Sequence, residues 1–418
     1  MREMKDSGIE WIGEIPKIKR IIRNKYLLEY TKGKLPVDTN FEGNGFPYIG
    51  ATDLDSNEPC KTYTSDETLP DSCDSDLLVL WDGARAGLCG THKVGKVSST
   101  IVRIREVDST IYRPFLYWYY KGFENYMYQR VNGTTIPHMN RKYIEEIQMI
   151  DWTIQEQRRI ADCLDRKCSQ IDAIIVRQQE VIEKLKAYKL SVITEAVTKG
   201  LNPDVPMKDS GVEWIGEIPV HWDFRRIKNC CLIVDCKNRT PDPDPDGEYI
   251  VVRTTCIRDG SFSYEGSYHT NAENFKEWTA KGQPQHGDIF FTREAPMGEA
   301  CLVPDTDNLC MGQRVMFFRP LYGSDPRYIL YSIYGPLARE YIDSKNKGST
   351  VGHLKLGQVA SLPLFYCPPK EQSEIADYLD KRCGAIDKVV EKKTEIISKL
   401  TDYKKSFIYE VVTGKKEV

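Results

Sequence analysis

Apolar residues recur at alternating steps of four and three along two long stretches of the chain, a pattern that predicts two long helices. Thr153 and Glu156 have the spacing of a capping box at the first start, and Pro369 stands at the expected first position of the second helix. The predicted seam residues of the first helix are Leu164, Ile171, Ile175, Ile182, Leu185 and Val192. The corresponding positions 215 residues later hold the apolar residues Leu379, Ile386, Val390, Ile397, Leu400 and Phe407. Helices with matched seams most simply pack on each other as an antiparallel coiled coil. The alternative is that each seam covers its own domain.

The segments before each predicted helix carry short apolar runs bounded by Gly, Pro and Asp, such as TIVRIREV, GEYIVVRTTCI, GDIFFTREA and VMFFRPL. These runs are typical of short strands. Two aromatic-rich stretches, YRPFLYWYYKGFENYMYQRV and DPRYILYSIYGPLAREYI, occupy equivalent places, and we expect them to form helices that fill the cores. The predicted fold class is α+β.

The chain also repeats itself. KDSGIEWIGEIP at Lys5 returns as KDSGVEWIGEIP at Lys208, and GTTIPHMN at Gly133 returns as GSTVGHLK at Gly348. This predicts two tandem pseudo-symmetric halves, each a β-rich domain followed by a long helix. The first copy of the opening segment can match the second if it packs against the end of the second helix. The predicted parts are the opening segment with the first domain at 1–153, a first spacer helix at 154–203, the linker, repeated segment and second domain at 204–368, and a second spacer helix at 369–418.

Composition predicts a protein of the cytoplasm whose charge is distributed unevenly. Thirteen cysteines at irregular spacings indicate reduced thiols, and no run of 18 apolar residues occurs. The net charge is −3, from 58 basic and 61 acidic residues. Acidic side chains dominate residues 53–82, whereas residues 83–105 hold basic side chains and no acid. The two segments are either solvated loops of opposite sign or the source of a local basic surface.

The search for catalytic motifs favours a binding module over an enzyme. No [DN]-P-P-[FY] loop of an amino-methyltransferase occurs, and no Lys follows Glu248 at the spacing of a magnesium-dependent nuclease. GTHKVGKV at Gly90 nearly matches a phosphate loop, but Val97 replaces the hydroxyl residue and the next residues predict a strand. Metal-ligand spacings such as Cys-x-x-Cys are also missing from the sequence. We therefore predict no catalytic residue, no metal and no cofactor on this chain.

The doubled arrangement resembles the specificity (S) subunit of Type I DNA restriction–modification systems. The resemblance is carried by SGIEWIGEIP and SGVEWIGEIPVHW, by the two G-[ST]-T segments, and by the EQ..IAD.LD..C..ID pattern that opens each helix. It implies two target-recognition domains that each read half of a bipartite sequence in double-stranded DNA, held apart by the paired helices. It also implies two methyltransferase (M) subunits and two restriction (R) subunits as partners. S-adenosylmethionine, ATP and magnesium are then expected on those partners.

Candidate DNA contacts are basic and hydroxyl side chains in the two domains, because Lys and Arg bind phosphates and hydroxyls can donate to them. For any single one of these cations, the alternative is a solvated surface charge. The candidates are Arg85, Lys93, Lys96, Thr134, Thr135, Arg141 and Lys142 in the first domain, and Lys237, Arg239, Arg253, Arg293, Ser349, Thr350 and Lys355 in the second.

Two other functions stay open at this stage. The chain could be a non-catalytic assembly scaffold of another defence complex, or a nuclease whose site carries none of the motifs searched for. The mildly acidic net charge also predicts that DNA binding by this chain alone is weak and that the partners complete the DNA channel.

Overall fold

The computed structural model describes residues 3–56, 58–107, 109–129, 139, 144, 147–346 and 352–418. The chain folds as two compact units. Unit 1 comprises Met1–Gln179 with Thr394–Val418, and unit 2 comprises Glu180–Lys393. Each unit therefore contains one of the two predicted domains together with a part of each long helix.

Unit 1 contains twelve strands within its described residues. The strands are β1 Met4–Asp6, β2 Glu14–Pro16, β3 Ile21–Arg23, β4 Leu28–Lys32, β5 Phe46–Ile49, β6 Tyr63–Thr64, β7 Asp71–Ser72, β8 Leu77–Leu80, β9 Cys89–Gly90, β10 Gly95–Val97, β11 Ile101–Glu106 and β12 Gln148–Ile150. Two short helices, α1 Arg113–Gly122 and α2 Glu124–Gln129, follow β11. The long helix α3 spans Ile154–Lys199 and continues into unit 2.

Unit 2 follows a similar order with additional elements. Its strands are β13 Met207–Asp209, β14 Glu217–Pro219, β15 Asp223–Arg226, β16 Cys231–Val234, β17 Tyr249–Val252, β18 Ile257–Arg258, β19 Ser261–Phe262, β20 Tyr268–Thr270, β21 Ile289–Thr292, β22 Ala300–Leu302, β23 Leu309–Met311, β24 Val315–Pro320 and β25 Pro363–Tyr366. Its helices are α4 Ala272–Trp278, α5 Pro326–Tyr334, α6 Pro336–Asn346 and α7 Leu356–Ala360, followed by the long helix α8 Pro369–Val412, which returns to unit 1.

The two domains share a common core of sheet pairings although their sequences differ. An antiparallel sheet runs β4-β11-β8-β9 in unit 1 and β16-β24-β21-β22 in unit 2. A second sheet joins β5 to β10 in parallel and to β6 in antiparallel, and β17 pairs with β23 and β20 in the same way. A two-stranded ribbon, β3 with β12 or β15 with β25, connects each domain to its long helix. Outside this common core the domains differ, because β7 joins β10 as a fourth strand in unit 1, whereas unit 2 has the hairpin of β18 with β19 and the helix α4.

The aromatic-rich segments form helices that fill the cores, as predicted. Phe115, Tyr119 and Tyr120 of α1 are fully buried, and so is Tyr328 of α5, the corresponding helix of unit 2. Burying an aromatic side chain removes a large apolar area from water, so these helices contribute strongly to the stability of each core.

The long helices run antiparallel, as predicted. In unit 1, Leu164 near the start of α3 shares a core cluster with Phe407 near the end of α8. In unit 2 the order is reversed, and Val192 near the end of α3 shares a cluster with Leu379 near the start of α8. All twelve predicted seam residues are buried or half-buried. The helices contain 46 and 44 residues, which corresponds to about 69 and 66 Å at 1.5 Å per residue.

Hydrogen bonds account for the start of α3 and for the place of the opening segment. The predicted capping box is present, since Thr153 N–H donates to Glu156 Oε2 at 2.8 Å and Glu156 N–H donates to Thr153 Oγ1 at 3.3 Å. Near the end of α8, the Tyr409 hydroxyl lies 3.0 Å from the Ile12 carbonyl of the opening segment. The first copy of that segment thus packs against the end of the second helix, as expected. No helix in the described part of the chain is long and apolar enough to cross a membrane.

Candidate nucleic-acid interface

In the shared G-[ST]-T segment, the described residues Met139 and Leu354 lie at the same place in the two domains. Met139 donates its backbone N–H to the carbonyl of Trp81 at 2.9 Å, and Leu354 does the same to Arg293 at 3.0 Å. Trp81 and Arg293 follow the equivalent strands β8 and β21. One backbone frame therefore presents an aromatic side chain in the first domain and a cation in the second.

The acidic and basic segments of the first domain pair with each other. The Arg85 guanidinium lies 2.6 Å from an Asp55 carboxylate oxygen and 3.0 Å from the Ala51 carbonyl. Lys93 is half-buried and donates to the carbonyl of Ser56. The uneven charge of the sequence is thus partly balanced inside the domain. Arg85 stays about half exposed, at 48%, and can still be reached by a ligand.

Lys96 is placed differently from the prediction. It is 4% exposed, and its ammonium lies 2.9 Å from the Glu67 carbonyl, 3.3 Å from the Leu69 carbonyl and 2.8 Å from an Asp71 carboxylate oxygen. A lysine has three donors, and all three have protein acceptors here. A phosphate contact does not fit this buried position, so Lys96 is a structural residue that ties the acidic segment to β10.

A buried ion pair recurs at equivalent places in the two domains. Asp76, just before β8, is fully buried and lies 2.5 Å from Arg105 of β11. Its counterpart Asp288, just before β21, lies 2.7 Å from Arg319 of β24. Burial alone would raise the pKa of Asp76, but hydrogen bonds from Arg105 and from the Cys73 backbone outweigh burial and hold this pKa below its usual value. These pairs fasten the central sheet and lie outside the candidate interface.

Lys237 and Arg239 form one cluster in the second domain. Both donate to Glu277, Lys237 at 2.6 Å, and both cations lie 4.8 Å from the centre of the Trp278 ring. The hydrogen bond from Lys237 is the main reason that the pKa of Glu277 lies below its usual value. Arg239 is 67% exposed, so this cation-on-tryptophan cluster faces solvent and is suited to an anionic partner.

Arg293 is the second predicted contact whose placement does not suit DNA. It is 12% exposed, and its guanidinium donates to both carboxylate oxygens of Asp235 at 2.9 and 3.1 Å and to the Leu354 carbonyl at 3.0 Å. Its remaining nitrogen lies 3.3 Å from His353. Arg293 therefore holds the shared segment against the sheet. His353 takes part in this structural network, since its other ring nitrogen lies 3.2 Å from a Glu294 carboxylate oxygen.

Arg253 and Lys355 lie on the surface of the second domain. Arg253 precedes a short 3-10 turn, and Lys355 precedes helix α7. Both are exposed, and neither forms an ion pair with another residue that the structure describes. With Arg85 and Arg239, they are the predicted cations that a phosphate can reach most easily. Six further candidates lie outside the described residues and stay predictions: Thr134, Thr135, Arg141, Lys142, Ser349 and Thr350.

Four exposed cations are not among the candidate contacts predicted from the sequence. Arg23 ends the strand that leads into the first domain, and Lys25 lies in the 3-10 turn that follows. Arg226 and Lys228 hold the same positions in the second domain. Their signal in the sequence is identity at an offset of 203, the offset of the opening segments, within a stretch that otherwise differs.

The described residues offer little to catalysis. Among them, no group of three or more His, Cys, Asp and Glu side chains could hold a metal ion. Burial raises the pKa of Cys301 and of Cys310 to about 12, so both thiols are protonated near neutral pH and are poor nucleophiles. The exposed cations Arg85, Arg239, Arg253 and Lys355 suit binding of an anionic partner.

Known proteins share both the sequence pattern and the fold. The family model described as Type I restriction modification DNA specificity domain matches residues 18–184 and again residues 219–400. The Type I restriction enzyme MjaVIII specificity subunit of Methanocaldococcus jannaschii is 30% identical over 219 residues, which are 51% of this chain and 49% of that relative. The match thus spans about half the length of that relative. The EcoDI specificity subunit of Escherichia coli is 18% identical over 417 residues, 96% of this chain and 89% of the relative.

A solved structure supports the fold. A chain from a structural study of the assembly and conformational transition of the type I R-M system matches with a TM-score of 0.68 at 14% identity, covering 95% of this chain and 98% of that chain. The family model matches both halves and covers more than half of the residues. The chain therefore belongs to the family of the Type I restriction modification DNA specificity domain.

Proposed function

We propose that this chain is the DNA-binding specificity subunit of a Type I restriction–modification complex and reads one bipartite, asymmetric target with its two domains. The observation that carries this proposal is a common sheet core built twice with different exposed cations, Arg85 in the first domain and Arg239 with Arg253 in the second. A protein that reads two different half-sites needs one docking geometry and two sets of contacting residues. A symmetric scaffold would need the same surface twice.

The paired helices suit the role of a spacer. Base pairs on one face of a duplex repeat about every 34 Å, and each helix is long enough to hold two readers one turn of DNA apart. We infer that the frame also offers equivalent surfaces to two methyltransferase subunits and, through them, to two restriction subunits. S-adenosylmethionine, ATP and magnesium act on those partners in this proposal, and the chain itself is non-catalytic and cytoplasmic.

The internal pairing of several cations supports a need for partners. Lys96 and Arg293 donate their hydrogen bonds to acceptors within the protein, and the whole chain has a net charge of −3. These two cations are then not available to phosphates, and each neutralised phosphate contributes to affinity. We expect weak DNA binding by the isolated chain at physiological salt and stronger binding once the methyltransferase subunits complete the channel. Tight target-specific binding by the chain alone would contradict this expectation.

Adenine-methylation mapping tests the proposal. The chain is co-expressed with its candidate methyltransferase subunit in cells without other methylation, and the genome is sequenced for modified adenine. We expect one new motif with two short fixed parts and a gap of roughly six bases, because one helical turn separates the half-sites. Absence of a new motif, although the two subunits purify together, would favour the scaffold. Magnesium-dependent DNA cleavage by the chain alone would establish a nuclease.

A further inference from the structure

Two cations are retained where the two halves of the chain otherwise differ. The opening segments align at an offset of 203, and the alignment continues through residues 17–28 and 220–231. Of these twelve paired positions, only two are identical, Arg23 with Arg226 and Lys25 with Lys228. The stretch connects the shared opening segment to each domain, so the pairs lie at equivalent points of the chain.

The structure places the pairs in the same local geometry. Arg23 lies opposite Gln148 in the ribbon of unit 1, and Arg226 lies opposite Pro363 in the ribbon of unit 2, 215 positions after Gln148. Each ribbon strand passes into a 3-10 turn of the same length, Asn24–Tyr26 or Ile227–Asn229. Corresponding side chains therefore point in corresponding directions.

Exposure and burial alternate along this segment. Arg23, Lys25, Arg226 and Lys228 are exposed, whereas the residue between each pair, Asn24 or Ile227, is fully buried. Substitutions at buried positions change stability more than substitutions on the surface. Two copies of a repeat are therefore expected to diverge first at exposed positions. Here the buried residue differs between the halves and the two surface cations do not. Stability of the fold does not account for their retention.

The four cations also lack an acidic partner within the described part of the chain. No ion pair connects Arg23, Lys25, Arg226 or Lys228 to another described residue, and the Lys25 ammonium lies 4.8 Å from the centre of the Tyr26 ring. The neighbouring cation Arg225, which is not retained in the first half, is paired with Asp223 at 3.6 Å and lies 3.7 Å from the centre of the Tyr366 ring. The retained cations are thus free to bind a partner outside the chain.

We propose that Arg23 with Lys25 and Arg226 with Lys228 are two equivalent phosphate clamps that hold the backbone of the duplex independently of its sequence. A contact made identically by both halves cannot depend on half-sites that differ, and the phosphate backbone is the part of DNA that is the same at every site. Lysine is depleted in the cores of protein–protein interfaces, which disfavours a protein ligand for a retained lysine. This inference rests on the proposed function. It adds that part of the DNA binding does not depend on the DNA sequence.

The test compares two variants in the complex of the full chain with its methyltransferase subunit. Both variants change four exposed cations to glutamine, so they have the same net charge. The clamp variant is R23Q/K25Q/R226Q/K228Q. The matched control is K17Q/R20Q/K276Q/K281Q. Lys17 and Arg20 are not retained in the second half, where the corresponding residues are Val220 and Asp223. Duplexes with and without the methylated motif are titrated over a range of salt concentrations.

The clamp variant should bind both duplexes more weakly by similar factors. The slope of log K against log salt should decrease in magnitude by about 3.6, at about 0.9 for each lost phosphate contact, and the methylated motif should stay the same. A charge-retaining variant, R23K/K25R/R226K/K228R, should keep most of the slope and shows that folding is not the cause.

Other outcomes separate this inference from the function on which it rests. If the unaltered complex has no preference for any duplex, the proposed function fails. If it keeps its preference and the clamp variant has an unchanged slope, the clamp assignment alone is overturned. Equal losses in the clamp and control variants would indicate a general charge effect and would also overturn it. Loss of the methyltransferase subunit from the clamp variant would make this surface a protein contact instead.

Discussion

Lys189 donates to both carboxylate oxygens of Asp387 at 2.7 Å, and the residues at the repeat-related positions make the same ion pair with the helices exchanged. In that second pair, Lys404 of α8 lies 2.7 and 2.6 Å from the two carboxylate oxygens of Asp172 of α3. Lys189 lies four residues after Leu185 and three before Val192, so it is a polar break in the apolar seam, and Lys404 is the same break 215 positions later. The two pairs explain these breaks, because each lysine reaches across to an aspartate on the opposite, antiparallel helix.

Reversing one of these charges should weaken the helix pair, and exchanging both should restore it. The single variant Lys189→Asp places two carboxylates side by side, and we expect a loss of about 1 kcal/mol because the pair is partly exposed. The double variant K189D/D387K should recover most of the loss in thermal unfolding. The same change at Lys186, which pairs with Glu183 of its own helix, is the control. A double variant less stable than the single one would contradict the register.

Gly414 should be more sensitive to substitution than a glycine of similar backbone angle elsewhere. Its φ is +76°, and an added Cβ would lie 2.8 Å from Pro16 and from Trp152, where the opening segment meets the end of α8. Gly8 has a φ of +71° and no atom within 4 Å of such a Cβ. Gly8→Ala should therefore cost about 1 kcal/mol for the backbone alone, and Gly414→Ala about 1–3 kcal/mol more.

The melting temperatures of the two glycine variants provide the measurement. A loss of 1 kcal/mol lowers the melting temperature by about 2–4 °C in a unit of this size. Gly414→Ala should melt several degrees below Gly8→Ala. Equal melting temperatures would mean that the opening segment does not pack tightly on the end of α8.

Asp76→Asn should destabilise unit 1 strongly at neutral pH. The substitution leaves Arg105 beside a fully buried neutral group, and breaking such a pair costs about 3 kcal/mol. Because the folded-state pKa of Asp76 is lowered, its contribution is present above the unfolded pKa of about 3.9 and is lost as the pH falls through the folded pKa. The difference in melting temperature between wild type and D76N should therefore shrink as the pH falls below about 4.

Asp74 provides the control for the Asp76 prediction. Its side chain is 69% exposed and accepts a hydrogen bond from His92 at 3.0 Å. Asp74→Asn should change the melting temperature little at any pH, because exposed pairs contribute little to stability. A gap between wild type and D76N that stays constant down to pH 3 would contradict an ionised, stabilising Asp76.

Glu277→Gln should strengthen DNA binding by the complex with the methyltransferase subunit. The carboxylate of Glu277 holds Lys237 and Arg239, and its removal frees two cations above the Trp278 ring. We expect a salt slope steeper by about 1–2 and tighter binding at low salt. Glu273→Gln on the same helix removes an equal charge at an exposed position and is the control. Weaker or unchanged binding would place Lys237 and Arg239 away from the duplex.

The frame of the fold could be predicted because its signals are local and repeated. The spacing of the apolar residues from Leu164 to Val192 predicts a helix. The same spacing from Leu379 to Phe407 predicts the second helix that packs against it. The common sheet core of the two domains was not predicted. Their strands are two to six residues long, and the pairing of β8 with β11 or of β21 with β24 depends on contacts between distant parts of the chain that no single run reveals.

The candidate interface was harder to predict than the frame, because a cation in the sequence does not disclose its partners. Lys96 and Arg239 look equally suited to a phosphate from their sequence neighbours, yet one is 4% exposed and the other 67%. The Lys96 acceptors are two backbone carbonyls and Asp71, which come from a different strand region. Arg23 and Lys25 belong to no motif, and only comparison of the two halves together with their exposure makes them visible.

The central claim, two readers on an antiparallel frame, is tested most directly by giving the frame the same reader twice. In this chimera, residues 220–365 replace residues 17–150, so that each domain still enters and leaves through its ribbon. With identical domains the two halves of the chain become equivalent, and a chain with equivalent halves should read a symmetric sequence. The account predicts adenine methylation at an inverted repeat of the second half-site, with the gap unchanged. Methylation of a direct repeat or of the original asymmetric motif would contradict it, as would no methylation by a chimera that still binds the methyltransferase subunit.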